Sequence, residues 1–230
     1  MPTAESPETT QPIPKPGNEV FFELHESYLA RAKSGPVGLL FLGDSITRQW
    51  VTVPHIWDHY YGAYQSAYFG IGGDGTQHII WRIENGELDG ISPKVVVLLV
   101  GTNNCGSSSA EHISAGIRKI IRLIHEKNPT TKILALGIFP RGPRINADGS
   151  PDNWESHMAK IRTVNADLAT LDNGNSIRAL DITASFLGND GTIPNTIMPD
   201  QVHLTPAGYQ IWADAMQPLL QEMLASASTE

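Results

Sequence analysis

A serine, a histidine and an aspartate stand where together they could carry out acyl transfer. Ser45 lies in "LLFLGDSITRQW", directly after an apolar run, and Asp200 and His203 lie three residues apart in "DQVHLTPAGY". If the Asp200 carboxylate accepts a hydrogen bond from Nδ1 of His203, the Nε2 atom is free to take the proton of the Ser45 hydroxyl. These residue types at this spacing therefore indicate a nucleophilic serine with its own base.

Each candidate also has an ordinary structural interpretation. A serine between a strand and a helix is a common helix cap, and a loop histidine is commonly solvated. Asp44 is interpreted as a cap in preference to a proton-transfer group, and Cys105 as a small buried residue beside the site. The other histidines are assigned capping, packing or solvated roles: His78 after the glycines, and His25, His55, His59, His112, His125 and His157 within predicted helices.

Five predicted strands have to position these residues. They are residues 37–42, 65–69, 94–100, 132–139 and 176–182, and amphipathic segments alternate with them. The run "KVVVLLV" is apolar on both faces, which is typical of a central strand in a parallel sheet covered by helices. One helical stripe is predicted to pack on the sheet at three- and four-residue steps: Trp154, Met158, Ile161, Val164, Leu168 and Leu171.

This alternation predicts a doubly wound α/β fold, a three-layer α/β/α sandwich with a five-stranded parallel sheet. Ligands of such sheets bind outside the carboxyl ends of the strands. Ser45 follows one strand end, and the polar clusters "FGIGGDGT", "GTNNC" and "DQVHLTPAGY" also follow a strand or open a helix. We therefore expect their side chains to converge on one edge of the sheet.

Composition fits one compact domain, since 40% of the 230 residues are hydrophobic and 17% are charged. Residues 1–17 are rich in Pro, Thr, Ser and Glu without periodicity, so they are predicted to be a disordered leader or linker, and residues 18–230 the single domain. The single cysteine excludes a disulfide within the chain and a multi-cysteine metal cluster.

Charge and hydropathy restrict the partners. A net charge of −8 without long charged runs argues against nucleic acid and anionic membranes and favours a small molecule. No apolar run approaches the roughly 20 residues of a membrane span, and the N-terminus lacks a signal-peptide pattern, so we expect a cytoplasmic protein. The sequence is compatible with a homodimer but does not determine the oligomeric state.

Parts of the sequence also resemble the patterns of other function classes. The run "GIGGDG" is a literal G-x-G-x-x-G, but it follows the second strand and has no acidic residue some 20 positions beyond it, which argues against a dinucleotide-binding oxidoreductase. Asp200 and His203 supply only two metal ligands where a catalytic zinc generally takes three, so neither metal nor cofactor is expected. A catalytically silent module of the same fold that binds carbohydrate or lipid stays as the alternative to an enzyme.

Four blocks in order, "GDSIT", the glycines before Asp74, "GTNN" and "DQVH", resemble those of the SGNH (GDSL-type) hydrolases. The similarity spans residues 39–208. The run "FGIGGDGTQHIIWRIENGELDGISPKVVVLLVGTNN" and "LGIFPRG" resemble the catalytic alpha subunits of the intracellular platelet-activating factor acetylhydrolases in particular. The resemblance implies a flavodoxin-like SGNH fold and a serine esterase that acts through an acyl-enzyme intermediate.

By this resemblance Ser45, His203 and Asp200 form a catalytic triad. The oxyanion hole is implied to be the N–H of Ser45, the N–H of Gly73 and the side-chain amide of Asn103, a neutral donor for developing negative charge. The family usually has Asp where this chain has Asn104, which leaves the role of that position open. The loop at 139–154, with Arg141 and Arg144, is too short for a large lid. We therefore expect short acyl groups as substrates.

Overall fold

The computed structural model describes residues 8–146 and 148–226 and contains a five-stranded sheet in the order β2-β1-β3-β4-β5. All four strand pairs are parallel, which confirms the predicted fold class. This order is that of flavodoxin-like folds. The strands are β1 (Leu39–Gly43), β2 (Ser66–Gly70), β3 (Val95–Leu99), β4 (Lys132–Leu136) and β5 (Ile177–Leu180).

Seven α-helices accompany the strands within the described residues. They are α1 (Glu19–Lys33), α2 (Ser45–Arg48), α3 (Pro54–Tyr61), α4 (Thr76–Glu84), α5 (Ala110–Lys127), α6 (Trp154–Ala169) and α7 (Pro206–Ser226). Short 3-10 helices occur at Glu8–Thr10, Gln49–Thr52, Gly62–Tyr64, Thr102–Asn104 and Thr183–Phe186. Over the two described ranges, none of the helices combines the length and the apolar character needed to cross a membrane.

Two apolar cores lie on opposite faces of the sheet because successive strand residues point to opposite sides. On one face Leu40 and Val96 join a cluster with residues of α1, α4, α5 and α6. On the other face Phe41 and Val97 join a cluster with residues of α2, α3 and α7. The predicted helical stripe lies in the first core: Met158, Ile161, Val164 and Leu168 of α6 are buried, and Trp154 and Leu171, which follows the end of α6, pack against this cluster.

The register of the sheet brings three loop origins together. Gly43, at the end of β1, pairs with Gly70 of β2 on one side and with Leu99 of β3 on the other. The loops that carry Ser45, the glycines after β2 and the "GTNN" turn therefore start side by side. The strand order reverses direction between β1 and β3, which is where open α/β sheets bind ligands.

The N-terminal segment differs from the expected disordered leader over residues 8–17, whereas residues 1–7 lie outside the described residues. Thr9 is buried and donates to the backbone carbonyl of His112 at 2.7 Å, and its own carbonyl accepts from the Thr76 hydroxyl at 2.7 Å. The backbone N–H of Ile13 donates to Gln77. Individual hydrogen bonds to α4 and α5 hold this segment. It is therefore ordered although its sequence lacks the apolar periodicity of a helix or strand.

Candidate active site

Ser45 is the first residue of α2 and follows β1 after one residue, Asp44. Asp44 is the N-cap of this helix, because its Oδ1 accepts from the backbone N–H of Ile46 at 3.0 Å. Burial raises the pKa of Asp44 to about 7. Asp44 takes the capping position, as its sequence interpretation proposed, and the hydroxyl of Ser45 is left for another partner.

That partner is His203. Ser45 Oγ lies 2.9 Å from His203 Nε2, across a separation of 158 residues in the chain. On the other side of the ring, His203 Nδ1 lies 2.7 Å from Asp200 Oδ2. With Nδ1 donating to the carboxylate, Nε2 carries a lone pair and accepts the hydroxyl hydrogen of Ser45. The three side chains that the sequence singled out are thus in one hydrogen-bonded row.

The Asp200 loop is shaped for this arrangement. The Oδ1 atom of Asp200 accepts from the backbone N–H groups of Val202 and His203 at 3.1 and 2.7 Å, and Gln201 between them has a left-handed φ of 62°. Partial burial raises the pKa of Asp200, but the bonds from the side chain and backbone of His203 outweigh it, and the pKa is lowered overall. Asp200 therefore keeps its negative charge into acidic solution.

Gly73 and Asn103 are linked through Asp74. Gly73 has a left-handed φ of 72°, a conformation that glycine adopts at little cost. The side-chain Nδ2 of Asn103 donates to the backbone carbonyl of Asp74, the next residue after Gly73, at 3.0 Å. Both residues are exposed, so the two donors that the resemblance implies lie at the surface of the sheet edge.

Asn104 has a different environment from its neighbour. Its side chain is buried, its Oδ1 accepts from the backbone N–H of Thr76 at 3.0 Å, and its Nδ2 donates to Gln77 Oε1 at 2.9 Å. These contacts satisfy polar groups in the first turn of α4, where backbone N–H groups lack intrahelical acceptors. The position left open by the sequence thus supports the start of α4.

Arg82 holds the strand ends beneath the site, and the sequence interpretation missed it. Its fully buried guanidinium makes five hydrogen bonds: two to Glu87 at 2.8 Å each, one to Asp74 at 2.7 Å, and one each to the backbone carbonyls of Phe69 and Gly43 at 2.8 and 3.3 Å. Burial lowers the pKa of Arg82, but the two carboxylates raise it above its ordinary value. A charged residue on the apolar face of α4 was the signal available in the sequence.

Lys15 was also missed, because it fell in the segment expected to be disordered. Its Nζ atom donates to the backbone carbonyl of Gly72 at 2.7 Å and lies 2.7 Å from Asp74 Oδ1. Only 14% of the side chain is exposed. The N-terminal segment thus directly contacts the loop at residues 71–75, called the glycine loop below.

Two competing nucleophile or base candidates have structural roles. His78 Nδ1 accepts from the backbone N–H of Gly75 at 2.8 Å, and burial lowers the pKa of His78 to about 4, so the ring is neutral at physiological pH. Burial raises the pKa of the Cys105 thiol to about 11, which leaves little thiolate at neutral pH. In the portion of the chain that the structure describes, His, Cys, Asp and Glu form no group of three that could hold a metal ion.

The loop after β4 contacts the loop that carries His203 and the turn that carries Asn103. The backbone N–H of Gly142 donates to the backbone carbonyl of Gln201 at 3.2 Å. Arg141 donates to the carbonyl of Thr102 at 3.3 Å and forms an ion pair with Asp152, also at 3.3 Å. This loop therefore lies against both the Asp200–His203 loop and the turn that carries Asn103.

Residues 41–211 match the GDSL-like Lipase/Acylhydrolase family. The chain is 35% identical over 209 residues to platelet-activating factor acetylhydrolase IB subunit alpha1 of Homo sapiens, a match that covers 91% of this chain and 86% of that protein. It is 35% identical over 214 residues to subunit alpha2 of Gallus gallus, covering 93% and 89%. Among solved structures, a GDSL-like lipase of Bacteroides thetaiotaomicron is similar, with a TM-score of 0.68, 17% identity, and coverage of 86% and 97%.

Proposed function

The chain belongs to the GDSL-like lipase/acylhydrolase family and is a carboxylic ester hydrolase, and we propose that it acts on short-chain acyl esters with Ser45 as the nucleophile. The observation that carries this proposal is the row of Ser45, His203 and Asp200, joined at 2.9 and 2.7 Å. A serine hydroxyl on a histidine that a carboxylate orients is the arrangement that acyl transfer requires.

The first half of the proposed reaction forms an acyl-enzyme. Ser45 Oγ attacks the carbonyl carbon of the ester while His203 Nε2 takes the hydroxyl proton, and the carbonyl oxygen becomes an oxyanion. When the carbon–oxygen bond to the leaving group breaks, His203 returns that proton to the departing alcohol. Asp200 keeps the imidazole in one tautomer and stabilises its transient positive charge.

The second half releases the acid. Water attacks the acyl carbon of the ester on Ser45, and His203 removes a proton from that water as the second tetrahedral intermediate forms. Collapse of the intermediate expels Ser45 Oγ, which regains its proton from His203. The carboxylic acid leaves and the resting hydrogen bond between Ser45 and His203 is restored.

The oxyanion is proposed to be bound by the backbone N–H groups of Ser45 and Gly73 and by Asn103 Nδ2. The first N–H of a helix has no intrahelical acceptor, which suits Ser45 for this role. The left-handed glycine and the link from Asn103 to Asp74 support the other two donors. Donors fixed before the reaction stabilise developing charge without reorganising.

A short acyl group is the proposed preference. The curated relatives are named as acetylhydrolases of platelet-activating factor, which supports acetyl as the group transferred. The side chains of His203 and Asp200 are 32% and 44% exposed, so the triad lies near the surface rather than at the end of a deep tunnel. The loop at 139–154 is also too short to close over a long chain. The alcohol is left unassigned.

The test compares Ser45→Ala with Ser27→Ala, since Ser27 is an exposed serine on α1 whose hydroxyl donates to the backbone carbonyl of Leu24 in the same helix. We expect Ser45→Ala to abolish hydrolysis of p-nitrophenyl acetate with unchanged circular dichroism, and Ser27→Ala to keep wild-type kcat. An organophosphonate should add to Ser45 in intact-mass and peptide analysis. Full activity of Ser45→Ala, or labelling at Cys105, would overturn the assignment.

A further inference from the structure

We propose that Lys15 is a positioning residue that fixes the direction of the Gly73 N–H in the oxyanion hole. This inference rests on the function proposed above, because it assigns Lys15 a role only if the Gly73 N–H is a donor to the oxyanion. It gives the N-terminal segment a part in catalysis, although that segment contributes no residue to the triad.

The contacts of Lys15 are concentrated on the glycine loop. Its ammonium donates to Gly72 O and lies against Asp74 Oδ1, each at 2.7 Å, so it binds the residue before Gly73 and the residue after it. A Cβ built on Gly73 would lie 3.5 Å from Lys15 Nζ. The lysine is therefore in van der Waals reach of Gly73 while it binds both of the neighbouring residues.

The carbonyl of Gly72 and the N–H of Gly73 belong to the same peptide unit. No cis peptide bond occurs among the described residues, and in a planar trans unit the C=O and N–H bonds point in opposite directions. Since Lys15 holds the Gly72 carbonyl, the Gly73 N–H is directed away from the ammonium. Two successive glycines allow such a peptide unit to flip easily, so an anchor on its carbonyl has a large effect on its direction.

The other end of the loop is held independently. Asp74 lies between Lys15 and the buried guanidinium of Arg82, at 2.7 Å from each, and its backbone carbonyl accepts from Asn103. Arg82 fixes Asp74 to the ends of β1 and β2. Lys15 binds the Gly72 carbonyl and Arg82 does not, so a positioning role for Lys15 can be tested separately from that of Arg82.

Lys15 is itself held in place by its own segment. Its Nζ lies 5.5 Å from the centre of the Phe21 ring, a cation–π distance, and the backbone N–H of Asn18 donates to the Lys15 carbonyl at 3.1 Å. Thr9, six residues earlier, is buried against α4 and α5. The fold itself therefore holds the Lys15 side chain in position.

The first experiment compares Lys15→Met with Lys127→Met. Lys127 forms an ion pair with Asp89 at the same 2.7 Å, but that pair is exposed and lies on a different part of the chain. We expect Lys15→Met to lower kcat for p-nitrophenyl acetate roughly 10- to 100-fold with KM within about twofold, because an oxyanion donor acts mainly in the transition state. Lys127→Met should keep wild-type kcat and KM. An unchanged kcat in Lys15→Met would overturn the proposal.

A chemical rescue distinguishes an effect of the Lys15 ammonium on kcat from an effect of the substitution on the stability of the segment. Lys15→Cys is alkylated either with 2-bromoethylamine, which rebuilds a lysine-length ammonium, or with iodoacetamide, which adds a neutral group. Cys105 is fully buried, so intact mass should show one adduct in each case. We expect the first adduct to recover most of kcat and the second to stay low. Equal kcat values for the two adducts would refute the role of the charge.

Different results would overturn the positioning role of Lys15 and the proposed function. Active Ser45→Ala would remove the proposed function and with it any role for Lys15. Inactive Ser45→Ala together with full kcat in Lys15→Met would leave the function standing and overturn only the positioning role. Melting curves of every variant identify a loss of kcat that comes from unfolding. If Lys15→Met is unfolded, the kcat values of the two alkylated proteins decide whether the ammonium has the positioning role.

Discussion

Asn103 and Asn104 are neighbours in the chain but have opposite environments: Asn103 is exposed with its amide on the Asp74 carbonyl, whereas Asn104 is buried with its amide on Gln77. A 3-10 turn at Thr102–Asn104 separates the two side chains in this way. One faces the edge of the sheet where substrate would bind, and the other faces the start of α4. Their substitution should therefore have separable effects.

Asn103→Ala is expected to lower kcat by roughly 10² to 10³ with little change in KM, since the amide donor strengthens only as the oxyanion forms. Asn104→Ala should change kcat much less but lower the free energy of unfolding by about 1 to 3 kcal/mol, because it leaves the buried Thr76 N–H without its acceptor. Steady-state kinetics and urea unfolding measure both. Greater loss of kcat in Asn104→Ala would contradict the assignment.

Asp200→Asn is expected to lower kcat by roughly 10³ to 10⁴, since an amide no longer fixes the tautomer of His203. Because the pKa of Asp200 is lowered, its carboxylate stays charged in wild-type enzyme from pH 8 down to pH 5, so its own titration should add no step to the kcat profile in that range. A stopped-flow pH series on both proteins checks this. Near-wild-type kcat in Asp200→Asn would show that the carboxylate is dispensable.

Asp44→Asn tests the buried helix cap. The pKa of Asp44 is raised to about 7 from 3.8 by burial, so the folded chain binds this proton more tightly than the unfolded chain does. The free energy of unfolding therefore falls as the pH rises from about 4 to about 7, by up to about 4 kcal/mol. Asn keeps an acceptor for the Ile46 N–H and should remove this dependence.

The measurement is guanidinium unfolding of wild type, Asp44→Asn and the exposed control Asp58→Asn at pH 5 and pH 8. The gain of Asp44→Asn over wild type should be larger at pH 8. The same difference at both pH values would show that Asp44 does not titrate in the folded state over this range.

Arg82→Met is expected to lower the free energy of unfolding by about 3 to 5 kcal/mol, because it removes the buried guanidinium that pairs with the carboxylates of Glu87 and Asp74. The control is Arg118→Met, which removes an ion pair with Asp167 whose side chains are 41% and 33% exposed and should cost less than about 1 kcal/mol. Urea titration monitored by tryptophan fluorescence measures both. An equal loss in the free energy of unfolding for the two variants would argue against the buried network of Arg82 as a source of stability.

The acyl chain length of the preferred substrate can also be tested. We expect acetyl and butyryl p-nitrophenyl esters to give higher kcat/KM than esters of ten carbons or more, because the triad lies near the surface and the loop at 139–154 is short. Phospholipid and sugar acetates compared at equal concentration would identify the alcohol. A preference for long acyl chains would show that an apolar surface outside the triad binds the substrate.

The layers of the fold and the hydrogen-bonded row of Ser45, His203 and Asp200 can be predicted from the sequence. Apolar runs that alternate with amphipathic segments predict the sheet and its covering helices, and the three-residue spacing of Asp200 and His203 lets the pair meet within one loop. Ser45 followed from its place after β1, because carboxyl ends of parallel strands share an edge. These features depend on local geometry or on rules common to all parallel sheets.

The contacts that hold the glycine loop could not be predicted from the sequence, because they join segments that are distant in the chain. Lys15 and Arg82 meet at Asp74 from segments 67 residues apart, and Thr9 meets His112 from 103 residues away. Each contact is a polar side chain on a specific carboxylate or carbonyl, so it leaves no periodic trace in the sequence. Hydrogen bonds of this kind depend on where the completed fold places two distant groups, to within a few tenths of an ångström.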